Sequence, residues 1–230
     1  MKRLSAFSTL IGALALTSAA QAGTISYNFN NPLADTEFTQ TGSLNLFDTT
    51  LGRLTGVSFI FNGAMTTTIS LANLSNTNQR ASAKSTMDLY YHSDLAGLDA
   101  LLNTGNPVLS LSTDSRPVDG SIAAKATFVD NKSAEGQSAP WSPNGMDALL
   151  ASFQGYEGQK FKLSCTSESG LTVIGGGGQI AAKQANQGSC GARVTYTYDN
   201  NKVPEPASLA LFGLAASTAC LAGRRRRAKA

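Results

Sequence analysis

The sequence predicts an all-β protein. It reads as an antiparallel β-sandwich of jelly-roll or Greek-key type with one short helix, preceded by a signal peptide and followed by a transmembrane helix. Three observations carry the sandwich. Apolar and polar residues alternate along most of the chain, Gly, Asn, Ser and Thr punctuate it at short intervals, and three- and four-residue apolar spacing is confined to one stretch. Short strands with one apolar face each cannot bury that face alone, so two packed sheets are the arrangement that covers them. No internal repeat is present, which disfavours a propeller or solenoid.

Taken in order, Ile25, Tyr27 and Phe29 alternate with Ser26, Asn28 and Asn30, the period of a half-buried strand. A second strand is expected over 42–46, ended by the turn residues of 47–52, and a strongly apolar strand over 54–61. Asn62-Gly63 is the strongest hairpin signal in the chain, because both residues tolerate positive φ and favour a type I′ turn. The return strand would run over 64–74 with Met65, Ile69 and Leu71 inward, followed by an extended segment at 85–91. Leu95, Leu98, Leu101 and Leu102 then recur at helical spacing behind Ser93, a candidate N-cap. Strands are expected again at 108–112 and 121–129, then a polar segment with turn residues over 130–143 and a helical turn or short loop over 144–153. Segments 160–166, 171–174 and 193–198 complete the strands.

The formal net charge of +3 and the pI near 8.8 suggest an anionic partner until the charges are located. Lys2, Arg3, Arg224, Arg225, Arg226, Arg227 and Lys229 sit at the two ends, and removing those seven from +3 leaves −4 for the rest. That distribution excludes a nucleic-acid-binding domain and points the basic residues at a membrane.

Residues 1–22 have the layout of a secretory signal peptide: Lys2 and Arg3, an apolar run over 10–16, and Ala20-Gln21-Ala22 as the small-x-small site for signal peptidase, with cleavage after Ala22. The β-domain would then occupy 23–199, followed by a linker over 200–206 that holds Val203, Pro204, Glu205 and Pro206. The apolar run over 207–223 would span about 25 Å as a helix, at the short end of the transmembrane range. Arg224, Arg225, Arg226 and Arg227 open the basic tail over 224–230 as a stop-transfer signal that stays cytoplasmic. Pro204 and Pro206 hold an extended, stiff path ahead of the helix, which a processing enzyme can grip. In this order of Pro-Glu-Pro, apolar helix and basic tail, the ending resembles the PEP-CTERM sorting signal. The resemblance implies an exosortase as partner. This membrane-embedded enzyme would cleave near the motif, with residues 203–206 as substrate positions, and pass the protein from the inner membrane to the cell surface or extracellular matrix.

Export also frames the cysteines. Cys220 lies in the apolar run, which leaves Cys165 and Cys190 to pair as a disulfide in an oxidising compartment. The closed loop contains the flexible run Gly175-Gly176-Gly177-Gly178. A zinc site wants four ligands, and His92 does not complete one, so no metal and no cofactor is expected.

Residues 46–57, the Thr-rich segment with Asn73, residues 149–158 and the closing Val194-Thr195-Tyr196-Thr197-Tyr198 resemble the choice-of-anchor E type of exported domain. That resemblance implies a β-rich domain carried ahead of a C-terminal anchor, without an established activity.

The motifs of chemistry are mostly missing. His92 is the sole histidine, expected at a surface or strand end, and neither G-x-S-x-G nor H-E-x-x-H occurs. The glycine run lacks the Lys-Ser/Thr of a phosphate loop. Asp88, Asp94, Asp99, Asp114, Asp119 and Asp130 have no calcium-loop spacing. Asn73-Leu74-Ser75 and Asn131-Lys132-Ser133 have the spacing of glycosylation acceptors. The expectation is therefore a non-enzymatic exported protein of the cell surface or matrix, with no nucleic-acid partner. Two alternatives stand beside it. One is a carbohydrate-binding module that contacts exopolysaccharide through Tyr90, Tyr91, Trp141 and Tyr156. The other is a polysaccharide-processing enzyme that uses a pair of Asp carboxylates.

Overall fold

Alternating burial organises the computed structural model, which describes residues 22–200. Its strands are β1 (Ala22–Asn30), β2 (Ala34–Asp35), β3 (Thr39–Asn45), β4 (Phe47–Asp48), β5 (Arg53–Asn73), β6 (Ala81–Ser93), β7 (Leu109–Ser115), β8 (Thr127–Gln137), β9 (Gln154–Gly155), β10 (Lys160–Gly175) and β11 (Ile180–Asp199). One α-helix, α1 (Ala96–Leu102), and 3₁₀ turns at Thr49–Leu51, Met146–Phe153 and Gly176–Gly178 fill the connections. The signal peptide up to Gln21, the Val-Pro-Glu-Pro motif, the apolar run of 207–223 and the basic tail lie outside the described residues. Among the described residues no helix is long and apolar enough to cross a membrane.

Two antiparallel sheets make the sandwich. One has the order β1-β11-β5-β8, with β2 also pairing β11, and the other has the order β3-β10-β6-β7; β4 and β9 form a small parallel pair. The chain winds as four hydrogen-bonded pairs, β1/β11, β3/β10, β5/β8 and β6/β7, and changes sheet at nearly every connection. This is the double Greek key of a jelly roll. Ile25, Tyr27 and Phe29 alternate with exposed neighbours, as their spacing predicts.

Several local expectations are corrected. Asn62-Gly63 forms no turn but lies in the middle of the 21-residue β5. Asn62 pairs Gly191 on one side and Gln137 on the other, while Gly63 pairs Cys190 and Gly136, so both backbones belong to the ladder. The glycine is required by packing instead, since a β-carbon at Gly63 would lie 2.5 Å from Leu89 Cδ1. The polar stretch after Asp130 continues β8 as far as Gln137, because an edge strand pairing one neighbour through its backbone needs little apolar side chain. Residues 121–126 are not strand, although Ile122 bridges Gln79. The two segments expected at 160–166 and 171–174 are one strand, and β11 begins at Ile180 rather than near 193. The helix starts after Leu95; Ser93 Oγ accepts from the Leu95 N–H at 3.1 Å, two residues ahead of the N-cap position at Leu95. The glycine run is a turn as expected: Gly175, Gly176, Gly177 and Gly178 all have positive φ and join β10 to β11.

The inner faces form an aromatic core of Phe47, Phe59, Phe61, Tyr91, Phe153, Phe161 and Tyr196, all at most 1% exposed. Phe59 and Phe61 stack at 5.8 Å, and Phe153, Phe161 and Trp141 pack around them. A second, aliphatic cluster of Ile69, Leu71, Ala81, Ala83 and Ile122 lies further along the same strands. Between the two, Thr67 and Ser85 both donate to Asn186 Oδ1. Cys165 on β10 and Cys190 on β11 form the expected disulfide, which joins one sheet to the other through the buried core.

Closing a loop of 25 residues should contribute about 3.5 kcal/mol through the unfolded chain. The double variant Cys165→Ala/Cys190→Ala is expected to lose about that much in urea unfolding of the purified protein. Gly63→Val should cost about 1–3 kcal/mol in the same measurement, because the added methyls must displace Leu89.

Candidate functional site

Tyr91 was expected among exposed aromatics, but its position on the inner face of β6 buries it to 1% exposure. Its hydroxyl donates across the core to the carbonyls of Gly191 (2.9 Å) and Asn62 (3.0 Å) on the opposite sheet. Cys165 is the cross-strand partner of Tyr91, and Cys190 precedes Gly191, so this hydrogen bond and the disulfide stand side by side. Tyr196 makes a similar link from β11, donating to Asn45 O on β3 at 2.8 Å. Burial pushes both phenols well above the ordinary value of 10.0. The hydrogen bond to Gly191 partly opposes this at Tyr91, and nearby Tyr27 adds to it at Tyr196.

The other three aromatics stay accessible in part. Tyr90 lies on the outer face of β6, where desolvation and then the carboxylates of Glu168 and Asp88 raise its pKa. Tyr156 is 73% exposed between β9 and β10. Trp141 bridges Phe59 through both backbone hydrogen bonds and packs edge-on against Phe59 and Phe61. Its remaining surface lines a cavity of about 330 Å³ with Leu101, Leu102, Pro107, Val108 and Pro140, rimmed by Thr104, Asn106 and Ser138. Neither Tyr90 nor Tyr156 lines it. The partners of Trp141 were missed in the sequence because Asn106-Pro107 and Pro140 read only as turn chemistry.

The carboxylates are dispersed into local roles. Asp94 accepts from the Lys162 N–H, Asp99 from the Ser93 N–H, and Asp130 from Ser115 with Lys132 alongside. Asp88 accepts from Ser110 and directly faces Glu168 across β6 and β10, an exposed like-charge pair on a sheet face. His92 lies near the end of β6 as expected, one residue before Ser93, with Nδ1 3.3 Å from Asp99 Oδ1, and Ser164 is its cross-strand partner. No hydrogen bond joins Ser164 to His92, and none of the cavities described here contains either. The trio therefore has the residue types but not the nucleophile-to-base hydrogen bond of a catalytic triad. Among the described residues no group of three His, Cys, Asp or Glu side chains is placed to hold a metal ion. Asn73 is 2% exposed and its amide donates to the carbonyls of Thr77, Ile122 and Ala123, which removes it as a glycosylation acceptor.

Two shallow polar depressions, about 430 and 510 Å³, lie along the outer face of the β1-β11-β5-β8 sheet. Their side chains already pair with one another: Thr68 donates to Asn131, Asn62 to Asn30, and Gln187 to Asp35.

Residues 202–227 match the PEP-CTERM protein-sorting motif. The match includes Val203, Pro204, Glu205, Pro206 and the four arginines from Arg224 to Arg227. No curated protein matches the chain. Among solved structures, it is similar to one titled "Crystal structure of the T13 IBDV viral particle reveals a missing link in icosahedral viruses evolution", at 10% identity and a TM-score of 0.18, over 86% of this chain and 45% of that one. It is also similar to "Structure of infectious bursal disease virus Gt strain", at 14% identity and a TM-score of 0.10, over 91% of this chain and 51% of that one. The chain spans about half the length of those chains, and at such TM-scores neither likeness bears on its fold or function.

The raised phenols of Tyr91 and Tyr196 give a pH dependence with a definite sign. Their contribution is complete below about pH 10 and is lost as pH rises through the folded-state values, because the unfolded chain ionises first. Urea midpoints are expected to hold to pH 9 and fall steadily above pH 10. In an absorbance titration, two of the six tyrosines should stay silent until the protein unfolds.

Proposed function

We propose that this is a non-enzymatic exported protein, displayed at the cell surface or in the extracellular matrix after processing by an exosortase. The observation that carries the reading is the PEP-CTERM motif at residues 202–227, which supports export by the exosortase route and implies a membrane-anchored precursor. Residues 1–22 act in this reading as the signal peptide, with Ala20 and Ala22 at its cleavage site, and residues 207–223 as the transient anchor in the inner membrane. The disulfide supports the same reading, since two buried half-cystines fit a domain that matures in an oxidising compartment. The β-domain is of the choice-of-anchor E type.

The non-enzymatic part rests on how the reactive side chains are used. Asp94, Asp99 and Asp130 hold backbone or side-chain groups of their own neighbourhoods, and Asp88 faces another carboxylate on an open sheet surface. A glycosidase needs two carboxyls flanking a sugar in a cleft. A carbohydrate-binding role is favoured by one observation, the cavity beside Trp141.

The sorting claim has a direct test. Replacing Pro204, Glu205 and Pro206 with alanine should leave export intact and block C-terminal processing, so the variant keeps residues 207–230 while the parent loses them. Intact-mass measurement on protein from an exosortase-containing strain reads the difference, and equal masses for the two would count against the claim.

A further inference from the structure

The cavity at Trp141 differs in kind from the polar depressions on the sheet face. Its floor and walls are Leu101 and Leu102 from α1, Pro107 and Val108 leading into β7, and Ala139, Pro140 and Trp141 after β8. None of its ten lining residues carries a charge, so an ion gains nothing there. Thr104 and Asn106 are exposed on the rim, and their side chains make no hydrogen bond among the described residues. Ser138, by contrast, is engaged: its Oγ accepts from the Phe61 N–H and donates to Ala139 O.

The cavity thus offers an aromatic and aliphatic interior, an uncharged lining and a rim with a free hydroxyl and a free amide. Its volume of about 330 Å³ sits at the small end of ligand pockets, enough for one ring rather than for an extended chain. A neutral pyranose matches each of these features. The C–H bonds on one face of the ring form an apolar patch that packs against an indole, and the hydroxyls around its edge reach a polar rim.

We propose that this cavity binds a single neutral pyranose unit of a glycan, with Trp141, Leu101 and Val108 contacting the ring and Thr104 and Asn106 hydrogen-bonding its hydroxyls. The surroundings of Trp141 favour a pre-formed site. The backbone of Trp141 is bridged to Phe59 at 2.7 and 2.9 Å, and its indole leans on the Phe59/Phe61 stack. Binding therefore needs little ordering of the aromatic wall. The proposal rests on the β-domain alone and does not depend on the sorting route.

Trp141 is the single tryptophan, so its fluorescence reports on this cavity and on no other place in the chain. The full-length oxidised protein, in detergent, is titrated with the methyl glycosides of glucose, galactose and mannose and with N-acetylglucosamine. The expected result is a saturable change in emission with at least one of them, with half-saturation on the order of millimolar because one small ring makes few contacts. The double variant Thr104→Ala/Asn106→Ala alters only exposed rim side chains, so its unfolding midpoint should match the parent while half-saturation rises at least fivefold. Absence of a saturable change with every glycoside would overturn the proposal, as would sugar binding that the double variant leaves intact. A proline-rich decapeptide provides the competing arm: a saturable response to it, without one to any sugar, would make the cavity a peptide site and overturn the proposal as well. None of these readouts involves C-terminal processing, so failure here is distinguishable from failure of the exosortase reading.

Discussion

The fold depends on a tie between its two sheets at the centre of the core. Cys165 and Tyr91 are cross-strand partners on one sheet, and both reach the same place on the other: Cys190 through the disulfide, and the carbonyls of Gly191 and Asn62 through the phenol. A jelly roll holds each sheet together by backbone ladders, but between sheets it has mainly non-directional apolar contact. Two directional links at one point turn that contact into a fixed register. Gln40 supports the arrangement from the edge, since its amide oxygen accepts from the Cys190 N–H at 3.1 Å. The buried phenol also explains why Tyr91 belongs to the interior despite its polar end: its one strong donor is satisfied by protein carbonyls rather than water.

From that tie the interior divides along the strands. Towards one end lie the aromatic rings and the cavity at Trp141, and towards the other lies the aliphatic cluster around Ile69 and Leu71. The layer between them is polar, with Thr67, Ser85 and Asn186 bonded to one another, while Thr113 Oγ1 and Asn186 Nδ2 find no partner among the described residues. A polar layer of this kind contributes less than a continuous apolar core of the same size. The covalent cross-link offsets part of that deficit by restricting the unfolded chain. It lies in the aromatic half, beside the Tyr91 ring that packs on Phe61 of the Phe59/Phe61 stack.

Charge and chemistry are separated along the chain. Seven of the basic residues sit at the two ends of the chain, those from Arg224 to Arg227 inside the PEP-CTERM match, and the β-domain between the ends is mildly acidic, with carboxylates tied into local hydrogen bonds. His92 and Ser164 meet by strand register and Asp99 reaches His92 from α1, yet no hydrogen bond joins Ser164 to His92. The concave, uncharged place is elsewhere, built by a short helix and two loops at the end of the aromatic core. This division suits a protein whose sequence is most specific about its route.

The sandwich class was legible because burial on one face leaves a period of two, as in Ile25, Tyr27 and Phe29, and that period survives any topology. The disulfide was legible from cysteine count and compartment, and the sorting signal from the order of its three parts. Strand boundaries were not. Asn62-Gly63 has the chemistry of a turn, and only the presence of β11 and β8 on its two flanks and Leu89 above it makes the same dipeptide the place where two sheets approach. The polar second half of β8 has no apolar period to read, because an edge strand is held by its backbone. By itself the sequence determined the fold class, the oxidised pair and the address, each set by local pattern or composition. Tertiary structure decided strand length, the burial of Tyr91 and the company of Trp141, since each depends on neighbours that arrive from distant parts of the chain.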